Sequence, residues 1–275
     1  MRIRERTLPV GWYPARGDET RERIERELGR IKTTVTTARA GIVPHAGWEF
    51  SGKVALEVLS SIDRKIDTIV IVGGHLTPSD GLYAEFEEGF ETPLGVLEAD
   101  TEMLNWIREK IELYEDRYAD NCVEIQLPFV KYLFPKKKVI GMRAAPSEEA
   151  IHLGEVIYDV AKEMGRKVAV IGSTDLTHYG LNYGFMPAGS GKQAVKWVKE
   201  VNDRGYLELM LNFKPKEAIE HAVKNRSACS AGGAAVALAF AIKSGLKRST
   251  LLDYYTSYDI FPGDSFVGYG GIIYY

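Results

Sequence analysis

The chain contains little cysteine and lacks long apolar runs. Its two cysteines, Cys122 and Cys229, are too few for a disulfide framework, so we expect a reducing, cytoplasmic compartment. No segment reaches the ~20 consecutive apolar residues that span a bilayer. The charged N-terminus is not followed by the apolar core of a signal peptide. These absences predict a protein that has no membrane partner.

A large excess of charge of either sign is also lacking. The formal net charge is -3 at pH 7, whereas a nucleic-acid-binding domain carries a strongly basic face, so no nucleic-acid partner is expected. No strand end carries a Gly-x-Gly-x-x-Gly or Walker pattern, which disfavours a phosphate-binding loop. The 45% hydrophobic and 27% charged composition is typical of a globular protein.

Apolar strand-like runs alternate with amphipathic helix-like segments through most of the chain. The runs at 38–43, 67–72, 138–142 and 167–171 predict strands, and the near-continuous apolar run at 67–72 is typical of a strand that is buried on both faces. Such alternation is typical of an α/β fold with a mostly parallel central sheet flanked by helices. The last two runs, near 251–258 and 266–274, show no helical pattern between them and are expected to pair antiparallel. Because no linker-like stretch interrupts the pattern, we expect one domain over residues 1–275.

Three of the five histidines, His45, His75 and His178, follow strand-like runs. In an open α/β sheet, ligands gather outside the carboxyl ends of the strands, and imidazole is a common metal ligand and proton carrier. Taken alone, His45 could instead hydrogen-bond within its loop to hold a turn, and His75 could be incidental to a turn that the two glycines before it form. If His45 and His75 share a metal, their rings must lie within about 8 Å of each other, since metal–nitrogen bonds are only ~2 Å long.

An acid and a cysteine add to this set. Asp175 precedes His178 by three residues, so one helical turn would place both on one face. The pair could act as a general acid or base, or as a metal ligand with its supporting carboxylate, or Asp175 could cap a helix beside a surface histidine. Cys229 precedes a predicted helix whose dipole favours a thiolate, although most free cysteines are small buried residues. Cys122 is interpreted as a packing residue.

Six short motifs occur in order along the chain. They are Pro-Val-Gly-Trp-Tyr-Pro-Ala from Pro9, Pro-His-Ala-Gly from Pro44 with Ser51-Gly52, Gly74-His75, Val-Glu-Ile-Gln-Leu-Pro from Val123, Ser-Thr-Asp-Leu-Thr-His from Ser173, and Cys229 before a helix. Together they resemble the Memo family, which is protein B of the AmmeMemoRadiSam system. The resemblance runs from about residue 9 to residue 274 and implies a fold similar to the class III extradiol dioxygenases.

What the resemblance implies is a metal site with His45, His75 and Cys229 as ligands, in which the cysteine takes the place of the dioxygenases' carboxylate. Asp175 and His178 match the family's other pocket residues and are the expected catalytic pair. Fe(II) is the first metal expected, while two imidazoles and one thiolate also suit Cu or Zn.

The motif around Glu124 resembles the family in part. Glu124 matches a recurrent acid of the family. At two places where many relatives carry histidine, this chain has Asn121 and Gln126.

Three functions remain open at this point. The first is a metal-dependent redox enzyme of dioxygenase type that uses non-haem iron as its cofactor. Its substrate would be an unknown small molecule or peptide, and other components of the AmmeMemoRadiSam system would be its candidate partners. The second is a non-catalytic module that binds a peptide or protein in the same cleft. The third is a hydrolase that uses Cys229 with His178 and Asp175.

Overall fold

Strands and helices alternate along the chain much as the apolar pattern predicts. The computed structural model describes residues 2–32 and 35–275. Its strands are β1 (Ile3–Arg4), β2 (Ala40–Val43), β3 (Thr68–Gly73), β4 (Leu82–Ala84), β5 (Gly89–Phe90), β6 (Leu97–Glu98), β7 (Tyr114–Glu115), β8 (Lys138–Ala144), β9 (Val168–Ser173), β10 (His178–Tyr179), β11 (Ser249–Thr256) and β12 (Phe266–Tyr274).

The helices cover both faces of the sheet. They are α1 (Gly17–Leu28), α2 (Trp48–Ser60), α3 (Thr101–Arg108), α4 (Asn121–Glu124), α5 (Leu127–Leu133), α6 (Glu148–Glu163), α7 (Gly191–Trp197), α8 (Asp203–Leu211), α9 (Pro215–Asn225), α10 (Ala231–Lys243) and α11 (Ser257–Ile260). A π-helical segment, Val198–Asn202, joins α7 to α8. Within the described ranges, no helix combines the length and the apolar character that crossing a membrane requires.

The centre of the main sheet is parallel. In the described part of the chain, the main sheet has nine strands in the order β10-β12-β2-β9-β3-β8-β4-β7, and β11 also pairs with β12. Strands β2, β9, β3 and β8 run parallel, so their carboxyl ends meet at one edge. Antiparallel pairing adds β12 on one side and β4 on the other. The predicted fold, a single α/β domain with a central sheet flanked by helices, is confirmed, as is the antiparallel pairing of the last two strands.

Each face of the sheet has its own apolar core, which explains the continuous apolar strands. Successive residues of a strand point to opposite faces. Val70 and Val72 pack in the core beneath α6 and α10, whereas Ile69 and Ile71 pack in the core beneath α2 and α5. The strand is therefore apolar at every position, as the sequence predicts for a strand buried on both faces.

Two glycines let helix α10 approach the carboxyl edge of the sheet closely. A Cβ on Gly232 would lie 2.2 Å from the Ala144 carbonyl oxygen, and one on Gly233 would lie 2.3 Å from the Val72 carbonyl oxygen. Only glycine fits at such distances. The start of α10, and with it Cys229, is thereby placed over the ends of β3 and β8.

Some local predictions are wrong. The chain between Asp175 and His178 is not helical, because His178 pairs with Val267 in the short ladder of β10 and β12. A short helix, α11, also lies between β11 and β12, where the sequence pattern indicated none. The domain prediction for 1–275 stays a prediction over that full range, since residues 1, 33 and 34 lie outside the described residues.

Candidate metal centre

His45 lies just past β2, and neighbouring segments fix its backbone. Asn121 donates a side-chain hydrogen bond of 2.8 Å to the His45 carbonyl oxygen, and Gln126 donates one of 2.8 Å to the Pro44 carbonyl oxygen. The His45 N–H donates to Asp175 Oδ1 at 2.7 Å. Asn121 and Gln126 therefore hold the loop that presents His45. The His45 side chain itself is buried.

His75 follows β3 through two glycines that serve different purposes. Gly74 has a φ of +114°, a conformation that L side chains rarely adopt. Gly73 leaves room for Cys122, since a Cβ on Gly73 would lie 2.2 Å from the Cys122 Cβ. The His75 side chain is 42% exposed, and its Nδ1 lies 3.3 Å from Asp120 Oδ2. Asp120 thus orients an imidazole that solvent can reach.

The structure brings His45 close to each of the other two predicted ligands. The His45 and His75 ring centroids are 4.9 Å apart, inside the limit of about 8 Å that a shared metal requires. His45 Nε2 lies 3.1 Å from Cys229 Sγ. Cys229 is positioned by its N–H, which donates to the Asp175 carbonyl oxygen at 3.2 Å.

Cys122 is the donor that the sequence pattern did not reveal. It is fully buried, as expected for a packing residue. Its sulfur, however, lies 3.9 Å from His45 Nε2 and 3.8 Å from His75 Nδ1. His45, His75 and Cys122 can each offer one ligand atom, and these three atoms all lie within 4.8 Å of one another. Such a group could hold a metal ion. The one sequence feature that could have pointed to Cys122 is its place directly before the motif that begins at Val123.

Neighbouring side chains at this centre shift the pKa values of Cys229 and His45. Burial alone would raise the pKa of Cys229, but His45 and His75 outweigh it and lower that pKa to about 5. Burial would lower the pKa of His45, yet Cys122, Cys229 and Asp175 raise it well above its ordinary value. Cys229 is therefore a thiolate at neutral pH, which is the form of cysteine that binds metals.

Asp175 and His178 meet beside this centre without the helical turn that their spacing suggested. His178 Nε2 lies 3.7 Å from Asp175 Oδ2. Burial would lower the pKa of His178, but Asp175 raises it overall. The Tyr183 ring stacks on the His178 ring with centroids 4.9 Å apart and an interplanar angle of 18°. The imidazole is thus held between a carboxylate and an aromatic face.

Two clefts meet at His178. The first, which we call the aromatic cleft, has a volume of about 530 Å³ and reaches His45 and His75. Its aromatic lining residues are Trp12, Phe50, Tyr183, Phe261 and Tyr269. The second, which we call the Cys229 cleft, has a volume of about 510 Å³, and its apolar walls include Leu76, Pro78, Leu176 and Val223. Small molecules can therefore approach the centre from the side of the histidines and from the side of Cys229.

Glu124 lies outside the centre and anchors the N-terminal segment. Its carboxylate accepts hydrogen bonds from the Thr7 hydroxyl at 2.6 Å and from the Tyr13 hydroxyl at 2.8 Å. That segment carries Trp12, whose carbonyl oxygen accepts the Trp48 N–H at 2.8 Å. The role of this acid is therefore to hold one wall of the aromatic cleft.

The fold and the centre together define a mixed α/β protein with a candidate histidine–cysteine metal site, and comparison with known proteins assigns its family. The sequence profile described as Memo-like protein matches residues 4–273. The chain belongs to the Memo family, as its motifs indicated.

Relatives from archaea match over almost their whole length. The chain is 32% identical to a MEMO1 family protein of Thermococcus onnurineus, covering 99% of each chain. It is 30% identical to one of Pyrobaculum aerophilum, covering all of both chains. Among solved structures, an uncharacterized protein from Escherichia coli K12 matches with a TM-score of 0.52 at 11% identity, over 86% of this chain and 99% of that chain. That last likeness concerns the fold alone.

Proposed function

We propose that this protein is a metal-dependent redox enzyme whose metal is held by His45, His75 and Cys229. The observation that supports the proposal best is the 3.1 Å separation of His45 Nε2 from Cys229 Sγ. The His75 ring packs against His45. Imidazole nitrogen and thiolate sulfur are the donors that transition metals prefer. The residues therefore fit the metal that the family resemblance implies.

Iron(II) is the first metal to test, with copper and zinc as alternatives. The resemblance to the class III extradiol dioxygenases favours iron, although the ligand types alone do not decide among the three. Three protein donors leave coordination positions open, which a catalytic metal needs. When bound, the metal would supply redox and Lewis-acid chemistry at those positions.

His178 is the proposed proton-transfer residue. Its ring lines both clefts, and Asp175 stabilises its protonated form from 3.7 Å. An imidazole placed in this way can give a proton to a bound substrate or take one from it. The His178 ring also stacks on the Tyr183 ring, which limits the plane that the imidazole can take.

The aromatic cleft is the proposed substrate site. Phe50 and Phe261 meet edge to face with their centroids 5.9 Å apart, and Trp12 lies on the same cleft. Apolar and aromatic walls with a few polar groups are typical of sites for organic ligands. The substrate is accordingly an organic small molecule or a peptide side chain that reaches the histidines through this cleft.

Metal content after anaerobic purification tests the proposal. Wild-type protein should retain iron or copper near one equivalent, and His45→Ala and Cys229→Ala should lose most of it. His152→Ala is the matched control, because His152 lies on the exposed face of α6 with its side chain 59% exposed. Substoichiometric metal in the wild type, even after incubation with Fe(II), would refute the proposal.

A binding module is the second candidate. The exposed aromatic rim favours it, since Phe261 is 60% exposed at the mouth of the aromatic cleft. Peptide binding that chelators leave unchanged would support this function over the enzyme. The hydrolase has less support, because the imidazole beside the Cys229 thiol is that of His45 and not that of His178.

Localisation and partners follow from the same proposal. We place the protein in the cytoplasm, and the family resemblance makes the other components of the AmmeMemoRadiSam system its candidate partners. Co-purification of those components with the tagged full-length protein tests the association.

A further inference from the structure

A second sulfur faces the candidate metal centre. We propose that Cys122 is a fourth donor to the metal held by His45, His75 and Cys229. This inference rests on the proposed metal site and adds a ligand to it. The observations behind it are that Cys122 Sγ lies 3.9 Å from His45 Nε2 and that His45, His75 and Cys122 can each offer a ligand atom within 4.8 Å of the other two.

The distances from His45 Nε2 to the two sulfurs suit one shared metal. Metal–nitrogen bonds of ~2.0–2.1 Å and metal–sulfur bonds of ~2.3 Å, arranged tetrahedrally, separate nitrogen from sulfur by about 3.6 Å. The separation is 3.1 Å between His45 Nε2 and Cys229 Sγ, and 3.9 Å between the same nitrogen and Cys122 Sγ. The two sulfurs thus stand on either side of the expected spacing, and small side-chain shifts would bring both into coordination.

The backbone around Cys122 is built to hold its side chain in place. Its N–H donates to Asp120 Oδ1 at 2.8 Å, and its carbonyl oxygen accepts the Ser173 hydroxyl at 2.6 Å. The missing side chain of Gly73 leaves the space that the Cys122 side chain fills. Ser173 also places its hydroxyl 3.3 Å from His45 Nδ1. One serine therefore links the segment that carries Cys122 to the His45 ring.

A fourth donor changes which metals the site favours. Two thiolates and two imidazoles are a donor set that zinc and Cu(I) bind well. Four protein donors complete a tetrahedral shell, whereas they leave two positions open on a six-coordinate Fe(II). The site would then be closed around zinc and open around iron.

Substitution with Co(II) counts the sulfur donors directly. Thiolate ligands give Co(II) a near-ultraviolet charge-transfer absorption whose intensity grows with their number. Metal-free wild type, Cys122→Ser, Cys122→Ala and Cys229→Ser would each be titrated with Co(II) under anaerobic conditions. Each single variant should show about half of the wild-type intensity per bound cobalt, because one of two thiolate ligands is lost.

The outcomes separate the two proposals. Wild type that binds no cobalt refutes the metal site itself. Cobalt binding with full intensity in both Cys122 variants overturns the role of Cys122 and leaves the three-ligand site standing. Circular dichroism of each variant checks that it folds. Should the Cys122 variants fail to fold, X-ray absorption of zinc-loaded wild type gives the sulfur count without substitution, and two sulfurs support the inference whereas one overturns it.

Discussion

His45 Nε2 lies 3.1 Å from Cys229 Sγ although 184 positions separate the two residues in the chain. The contact arises because β2 ends at the carboxyl edge of the sheet and the glycines of α10 bring the start of that helix to the same edge. The parallel centre of the sheet supplies the edge. The fold therefore places an imidazole beside a thiolate, and these two groups are two of the three ligands of the proposed metal centre.

Asp120 should control metal affinity without being a ligand of the proposed three-residue site. Its carboxylate lies 3.3 Å from His75 Nδ1, and loss of such a supporting carboxylate typically weakens metal binding about 10–100-fold. We expect Asp120→Asn to raise the dissociation constant for Co(II) by that factor, as measured by competition with a chromophoric chelator. Asp159→Asn, on the exposed surface of α6, is the control and should match the wild type. Equal Co(II) affinities for the wild type, Asp120→Asn and Asp159→Asn would show that Asp120 does not support metal binding.

Alkylation of Cys229 should depend little on pH in the neutral range. His45 and His75 lower the pKa of Cys229 to about 5, so the thiolate predominates above that pH. In metal-free Cys122→Ser protein, which retains Cys229 as its single thiol, iodoacetamide should react at a nearly constant rate from pH 6 to pH 8. The rate should fall as the pH drops through 5.

An ordinary thiol behaves differently, because its pKa of about 8.5 makes the rate rise roughly tenfold per pH unit below that value. Such a rise between pH 6 and pH 7 would contradict the predicted thiolate. Cys229→Ser should remain unlabelled at that position, which identifies the reacting residue by mass spectrometry.

Glu85 should make stability depend on pH. Burial raises the pKa of Glu85 to about 8 from an ordinary value of 4.5, although Arg4 at 2.9 Å acts in the opposite direction. The folded protein therefore keeps a proton that the unfolded chain releases above pH 4.5. The stabilisation is fully present below about pH 4.5 and is lost as the pH rises through about 8.

Glu85→Gln removes this titration. From pH 5 to pH 9, the wild type should lose on the order of 3 kcal/mol of unfolding free energy relative to the variant. Urea unfolding of both proteins at pH 5, 7 and 9 measures the difference. A difference that stays constant over this range would show that Glu85 does not titrate as the structure implies.

The close approach of α10 predicts a large penalty at one glycine. A Cβ on Gly233 would lie 2.3 Å from the Val72 carbonyl oxygen, and overpacking of this kind typically costs about 1–3 kcal/mol. We expect Gly233→Ala to lower the unfolding free energy by that amount and to weaken Co(II) binding by displacing Cys229. Gly29→Ala is the matched control, since a Cβ there meets nothing closer than 3.5 Å. Wild-type stability in Gly233→Ala would contradict the packing argument.

The positions of His45 and His75 at strand ends could be predicted from the sequence, because short local patterns mark where each strand ends. Apolar runs followed by Pro44 or by Gly73 and Gly74 mark the ends of β2 and β3 without any knowledge of distant contacts. Parallel pairing then places His45 and His75 at one edge. This part of the site depends on patterns within short segments.

The remaining residues depend on long-range packing. Cys122 reaches the centre because α4 lies against β3 at the glycine that makes room for it, and no periodicity in its own segment indicates this. His178 is extended because it pairs with Val267 in β12. Tertiary pairing there overrides the helical spacing that linked it to Asp175. The family resemblance supplied Cys229 as a ligand where local reasoning left packing as an equal alternative.

The location of the bound metal is the most direct test of the central claim. Crystals of anaerobically purified, Fe(II)-loaded protein, measured on both sides of the iron absorption edge, give the position of the ion by anomalous difference. We expect one strong peak at about 2.0–2.3 Å from a nitrogen of His45, a nitrogen of His75 and the sulfur of Cys229. A peak bonded to other residues, or none at this edge of the sheet in fully loaded protein, would contradict the metal centre.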